Sequence, residues 1–308
     1  FSEFNLFQIE RECLAIVESK DLDTLIIPIL GDIRDINHLN HVFMQYQVDH
    51  IYHAAAYKHV PLVEDENNLA IAAENNILGT YNLAQVAVNK NVKSFVMIST
   101  DKAVRPTNIM GATKRFAEII IQSINASTDI TKLSMVRFGN VINSSGSVIP
   151  LFLDQISQGG PVTVTDKDVM RYFMTIPEAS SLVLQAGEMS TGGEVFILDM
   201  GEQIKIYDLA KKLIHLSGRN YVEDEEQFDD GIQILEVGLR PGEKMYEELL
   251  ISGSEIKTDN SKIFKANESY IQLDHLQIIL EKMKECIRNY DNAKILSILA
   301  ENVEGFKR

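Results

Sequence analysis

Ser94-Phe95-Val96-Met97-Ile98-Ser99-Thr100-Asp101-Lys102-Ala103-Val104-Arg105-Pro106 passes from an apolar run into a polar one, and Met110-Gly111-Ala112-Thr113-Lys114 follows directly. Ser94 to Thr100 has the length and apolar content of a buried strand, and Ala112 to Ile124 has helical periodicity. The same alternation extends outward in both directions. Ile51 to Ala56 and Leu133 to Val141 read as further buried strands, and Leu69 to Val88 as helix. Thr24-Leu25-Ile26-Ile27-Pro28-Ile29-Leu30 also reads as a strand despite its proline, closed by Gly31-Asp32-Ile33-Arg34-Asp35. Ahead of it, Leu6, Ile9, Cys13 and Ile16 mark an amphipathic helix over Ser2 to Ser19, with Ser2 as N-cap. Strands alternating with helices predict an α/β fold with a doubly wound parallel sheet covered on both faces. Ligands of such a sheet bind at the carboxyl ends of its strands.

Beyond about Ser147 the rhythm loosens, with short strands at Val162-Thr163-Val164 and Val195-Phe196-Ile197-Leu198 among helices and longer loops. The expected division is residues 1–146 as a dinucleotide-binding domain. Residues 147–308 form mainly a smaller α/β substrate lobe, with segments returning to the sheet. Leu273 to Val303 reads as two amphipathic helices split near Asn289-Tyr290-Asp291-Asn292.

The chain has 308 residues, enough for a substantial core, and a formal net charge of -15. That acidity argues against nucleic acid as a partner. Six of the eight residues from Glu223 to Asp230 are acidic and are expected to form a solvated loop. Cys13 and Cys286 stand far apart, which fits a reducing compartment. No apolar run reaches the ~18 residues of a membrane span, so the chain as given is expected to be soluble and cytoplasmic. No metal site is expected, and the isolated His53 and His59 read as structural.

A dinucleotide-binding sheet normally begins with a strand, a G-x-G-x-x-G turn and a helix. No such turn occurs in this sequence. Either the first strand and turn lie upstream of Phe1, the reading favoured here, or cofactor binding has been lost. On the favoured reading the chain as given binds NAD+ poorly.

The string Ser-Thr-Asp-Lys-Ala-Val-x-Pro-Thr-Asn-x-Met-Gly-Ala-Thr-Lys resembles the signature of the UDP-N-acetylglucosamine 4,6-dehydratases, extended short-chain dehydrogenases/reductases of bacterial glycan synthesis. It is similar to their large subgroup with methionine in place of tyrosine. Other segments agree: Gly31 to Asp35, His53 to Pro61, Asn76 to Thr80, Arg137 to Val141, Met170 to Thr175 and Leu239 to Lys244. The similarity runs from about Ser2 to Leu250.

The resemblance implies a Rossmann-like fold, NAD as a recycled cofactor and UDP-N-acetylglucosamine as substrate. A homo-oligomer is the expected assembly. Other members of the subgroup carry a membrane-spanning region ahead of the catalytic part, so the full-length protein is expected to be membrane-anchored through a region absent here. Short-chain dehydrogenases place a Tyr-x-x-x-Lys pair at the helix start; here Lys114 is present and Met110 holds the tyrosine position. A thioether cannot ionise. The acid/base work therefore moves to Asp101 and Lys102, which follow Thr100 at the strand end.

By resemblance, Asp32 and Ile33 flank the adenine. Ala54, Ala55, Ala56, Lys58 and Asn76 line the cofactor and reach toward the sugar. Asn140, Val148, Thr163, Arg171, Arg240 and Glu243 contact the nucleotide or hexose, arginine supplying forked donors for a diphosphate. In the implied reaction Lys102 removes the C5 proton of a 4-keto sugar and Asp101 protonates the leaving C6 hydroxyl. Such a lysine is expected to have its pKa lowered by burial and cofactor charge. The methionine subgroup retains C5 configuration. Two rivals remain: a UDP-hexose 4-epimerase, which needs no acid at C6, and a non-catalytic nucleotide-sugar-binding module.

Overall fold

The computed structural model describes residues 2–142, 144, 146–223, 231–249 and 255–307. The acidic stretch from 224 to 230 lies outside the described residues. The first half of the chain gives α1 (Glu3–Ser19), α2 (Ile36–Gln45), β1 (His50–His53), α3 (Val60–Val63), α4 (Glu66–Ala73), α5 (Thr80–Asn89), β2 (Ser94–Ile98), α6 (Ile109–Asn125) and β3 (Lys132–Arg137). A π-helical turn, Glu74–Gly79, joins α4 to α5. The second half gives β4 (Asn140–Val141), α7 (Val148–Ser157), β5 (Val162–Val164), β6 (Met170–Arg171), β7 (Phe173–Met174), α8 (Ile176–Met189), β8 (Val195–Leu198), β9 (Ile204–Lys205) and α9 (Ile206–Leu216). It closes with β10 (Asn220–Tyr221), β11 (Gly231–Ile232), β12 (Ile234–Glu236), β13 (Ile256–Lys257), β14 (Ile263–Ala266), α10 (Leu273–Arg288) and α11 (Asn292–Asn302).

The main sheet runs β1-β2-β3-β8-β14-β13. β1, β2, β3 and β8 are parallel, whereas β14 and β13 add antiparallel strands at one edge. Side-chain alternation along each strand sends residues to two separate cores. Phe95, Met97, Leu133, Met135, Val195 and Ile197 join the core under α4, α5, α6, α10 and α11. Val96, Val136, Phe196 and Leu198 face α8 on the other side. The helix pair expected at the C-terminus therefore packs on the sheet layer. A third core joins α7, α9, β5 and β11 away from the sheet.

Three sequence expectations change. Residues 24–30 are extended, but among the described residues they have no ladder partner, and Leu25 is 83% exposed. Apolar content qualifies a segment for a sheet, but only a paired neighbour makes it a strand. Leu133 to Val141 divides into β3 and β4, because at Phe138–Gly139 the chain leaves the main sheet to pair β4 with β7. Val195 to Leu198 belongs to the main sheet and not to the looser lobe. The N-cap at Ser2 is present, its hydroxyl accepting from the Asn5 amide at 3.3 Å. No residue of α1 is buried.

One buried polar network ties the layers together. Arg137 donates to Glu118 at 2.7 and 2.5 Å and to Glu268 at 2.5 and 2.6 Å. Arg115 Nη1 reaches Glu118 at 3.1 Å and Glu268 at 3.0 Å, and Ser99 donates to Glu118 at 2.6 Å. Burial alone would raise the Glu118 pKa, but the two arginines and the hydroxyl more than offset it and hold the carboxyl at about 2.

Candidate active site

β2 ends at Ile98, and a single turn of 3-10 helix carries Asp101–Ala103 just past it. The Thr100 hydroxyl caps this turn by accepting from the Lys102 amide at 3.3 Å and donates to Asp101 Oδ1 at 2.8 Å. Asp101 is fully buried, and its Oδ2 has no hydrogen-bond partner among the described residues. Lys102 Nζ donates to Asp101 Oδ1 at 3.0 Å and to Asn140 Oδ1 at 3.4 Å, and stands 3.5 Å from Glu247 Oε1. Burial disfavours the Lys102 cation, but Asp101 and Glu247 outweigh it, and the pKa is raised. The expected lowering does not occur in the free protein, because two carboxylates flank the amine.

Beyond this turn, α6 begins at the cap Asn108, whose side chain accepts from the Gly111 amide at 2.8 Å. Met110 and Lys114 follow on one face. Lys114 Nζ donates to the Ile98 carbonyl at 2.7 Å, and burial lowers its pKa to about 8 against an opposing pull from Glu118. Ala54, Ala56, Lys58, Thr100, Lys102, Met110, Lys114 and Asn140 line one cavity of about 250 Å³. Gly139 also borders it; an added Cβ there would come within 3.0 Å of Tyr172 Cβ and 3.1 Å of Asp101 Oδ2.

A second cavity of about 240 Å³ is lined by Asn140, Val148, Thr163, Arg171, Arg240 and Glu243, six residues drawn from distant parts of the sequence. Asn140 belongs to both cavities. Arg171 Nη2 pairs with Glu243 Oε1 at 3.0 Å, and its Nη1 donates to the Met170 carbonyl at 2.7 Å. Thr163 is engaged by Gln155, which accepts from its amide at 3.0 Å and donates to its hydroxyl at 2.8 Å. Arg240 is exposed and sits on a tight turn, the Glu243 amide donating to the Arg240 carbonyl at 3.0 Å. That turn is fastened to the start of α6: Thr107 donates to the Gly242 carbonyl at 2.7 Å, and Lys244 Nζ to the Val104 carbonyl at 2.9 Å.

Five predicted residues line neither cavity, one of them Asp101, buried beside Lys102. Asp32 pairs with Arg34 at 2.6 Å, and Arg34 reaches Glu74 at 3.0 Å. Ile33 lies over Gly79, where a Cβ would come within 2.7 Å of it. Ala55 is exposed. Asn76 is buried in the π-helical turn and spans Tyr57 and α6. Its Oδ1 accepts from the Tyr57 amide at 2.8 Å, and its Nδ2 donates to the Tyr57 carbonyl and Thr113 Oγ1, each at 3.0 Å. It fixes the loop that carries Ala56 and Lys58 without lining the cavity. His53 is buried with Nε2 2.9 Å from Thr80 Oγ1, and burial, aided by Lys114, lowers its pKa to about 3. No group of metal-ligating side chains occurs among the described residues.

The family model for polysaccharide biosynthesis proteins matches residues 1–268. The chain belongs to this family. It is 49% identical over 274 residues to the capsular polysaccharide biosynthesis protein CapD of Staphylococcus aureus, covering 88% of this chain and 43% of that protein. The chain thus spans less than half the length of that relative. It is 36% identical over 233 residues to a UDP-glucose 4-epimerase of Rickettsia massiliae, covering 75% of this chain and 64% of that one. Among solved structures, Pen from Bacillus thuringiensis aligns with a TM-score of 0.73 at 33% identity, covering 92% of this chain and 88% of Pen. The fold is also that of DesIV, a dTDP-glucose 4,6-dehydratase from Streptomyces venezuelae with NAD and TYD bound. That match has a TM-score of 0.59 at 23% identity over 71% of this chain and 69% of DesIV. No helix among the described residues is long and apolar enough to cross a membrane.

Sequence reasoning missed Glu247, which is buried between Lys102 and Arg171. Its only sequence signal is position: it stands four residues after Glu243 and directly before Glu248.

Proposed function

We propose that this chain is the catalytic part of a UDP-N-acetylglucosamine 4,6-dehydratase. The observation that carries the reading is the Asp101–Lys102 hydrogen bond of 3.0 Å beside a cavity in which Met110 takes the place of an ionisable residue. Ala54, Ala56 and Gly139 keep that cavity open, and Lys114 supplies a cation at its wall, a set that suits the nicotinamide ribose of a dinucleotide. The cofactor, when bound, supplies reversible hydride exchange with the sugar.

The residues of the chain do the proton work. Transfer of one proton from Lys102 Nζ to Asp101 Oδ1 turns an ammonium and a carboxylate into an amine and a carboxylic acid. A base and an acid arise together, with no proton drawn from water. The amine takes the C5 proton next to the 4-ketone, and the acid protonates the departing C6 hydroxyl as water. A sugar seated over the pair favours its neutral form by removing water from around Lys102. Reprotonation of C5 by Lys102 from the same face retains configuration, because Met110 offers no second donor, and the proton released when the C4 hydroxyl becomes a ketone returns the pair to its starting charge.

Residues 1–146 would hold the cofactor and the lobe from 147 onward the nucleotide sugar, with Arg171 and Arg240 toward its diphosphate. Proton NMR of the product that the full-length protein forms from UDP-N-acetylglucosamine, with NAD+ supplied, tests this reading. The expected product is UDP-2-acetamido-2,6-dideoxy-α-D-xylo-hexos-4-ulose. The 36% identity to a UDP-glucose 4-epimerase keeps a second reading in the same experiment. Inversion at C4 with C6 still hydroxylated would establish the epimerase instead.

A further inference from the structure

We infer that Glu247 is a positioning residue that holds Lys102 in its charged, inward-facing state and links it to Arg171 of the neighbouring cavity. Glu247 is only 5% exposed. Its Oε1 stands 3.5 Å from Lys102 Nζ and 3.7 Å from Arg171 Nε, while Oε2 has no hydrogen-bond partner among the described residues. A buried carboxylate with one unsatisfied oxygen costs stability, so packing gives no reason for its presence there. What it does have is a fixed place. Its backbone carbonyl accepts from Gln203 Nε2 at 3.0 Å, and three residues earlier Lys244 Nζ is anchored on the Val104 carbonyl at 2.9 Å. Val104 lies on the same loop as Asp101 and Lys102, so the two segments carry the carboxylate and the amine as one unit.

The surroundings of both partners define the electrostatics. Lys102 meets Asp101, Asn140 and Glu247, and the Arg171 cation beyond Glu247 opposes its charge more weakly. Glu247 meets Lys102 and Arg171, and Arg171 in turn meets Glu243. The row Asp101, Lys102, Glu247, Arg171, Glu243 alternates in sign across the two cavities. Asp101 alone could orient Lys102. With Glu247 added, the ammonium is flanked by carboxylates on two sides, and its proton is held more firmly than one partner would hold it. The reactive form needs one proton shared by Asp101 and Lys102, so Glu247 sets the alkaline limit at which that proton is lost.

The catalytic consequence rests on the dehydratase reading, but the hold on Lys102 does not, so the test reads the two separately. Reductive methylation with ¹³C-formaldehyde labels the lysines, and Lys102→Arg assigns the Lys102 signal. Its titration in the free protein is then compared between the wild type and Glu247→Gln, which keeps the volume and removes the charge. The Lys102 pKa is expected to fall by about one unit or more, from the attraction of a full charge at this separation. Glu247→Asp should restore most of the shift and show that the fold tolerates change at this position. An unmoved titration in Glu247→Gln overturns the inference. With substrate, the alkaline limb of kcat/KM should move down by the same amount as the titration. A shifted titration with an unmoved limb leaves the hold of Glu247 on Lys102 standing and overturns the shared-proton chemistry instead.

Discussion

Two rows of alternating charge lie close together in this molecule, and they are built to opposite specifications. Arg115, Glu118, Arg137 and Glu268 sum to zero charge, and every oxygen of the two carboxylates accepts a hydrogen bond or faces an arginine within 3.1 Å. Asp101, Lys102, Glu247, Arg171 and Glu243 carry one negative charge in excess, and one oxygen each of Asp101 and Glu247 is left without a partner. The first row is saturated at its acceptors, with Arg115 Nε left as an unpartnered donor among the described residues, and it joins β3 and α6 to the segment after β14. The second borders two cavities with bonding capacity unspent. Burial and charge alone do not distinguish a structural network from a reactive one. Net charge and the count of unfilled acceptors do.

The contrast is open to direct attack, most forcefully in the saturated row. Arg137→Met removes the cation that both Glu118 and Glu268 depend on and leaves two buried carboxylates to one arginine. A loss of ~3–5 kcal/mol in urea unfolding is expected. A loss under ~1 kcal/mol would mean that the row is not a fold determinant.

In the reactive row the effect moves from stability to turnover. Asp101→Asn and Lys102→Met should each lower dehydration by ~10²–10⁴-fold. Asp101→Asn should shift the unfolding midpoint far less than Arg137→Met. Substrate recovered from Lys102→Met in deuterium oxide should carry no label at C5. Label there would identify another base and remove Lys102 from its assigned role.

The smallest effect is expected at the exposed end of the second cavity. Arg240→Ala should raise KM for the nucleotide sugar about ten-fold with kcat nearly unchanged, the pattern for a group that binds ground and transition states alike. A fall in kcat at constant KM would place Arg240 in the chemistry and blur the division between the two cavities.

Much of this was legible in the sequence, because the relevant signals are local. Strand β2, helix α6 with its Met110–Lys114 pair and the two C-terminal helices follow from periodicity and spacing. The six residues from Asn140 to Glu243 that the resemblance pointed to line one cavity. What the sequence did not disclose depends on partners. Residues 24–30 have strand composition but no paired neighbour. Asn76 has the right motif, yet its amide is consumed by Tyr57 and Thr113. Burial and cofactor charge suggested a lowered Lys102 pKa, and the sign reversed because Asp101 and, from 145 positions away in the chain, Glu247 flank the amine.

Gly242 shows how position can be fixed without contact to any ligand. Its backbone is left-handed, with φ of +74°, and an added Cβ would sit 2.7 Å from the Thr107 carbonyl and 2.9 Å from Asn108 Cβ. Even alanine would therefore pry the Arg240–Lys244 turn off the cap of α6, carrying Glu243 and Glu247 away from Arg171 and Lys102. In a saturation library scored only for growth or yield, this glycine would look as intolerant as Lys102. Intolerance at such a site measures the leverage of a joint, and separating joints from reagents requires a readout of binding or proton transfer, not of survival.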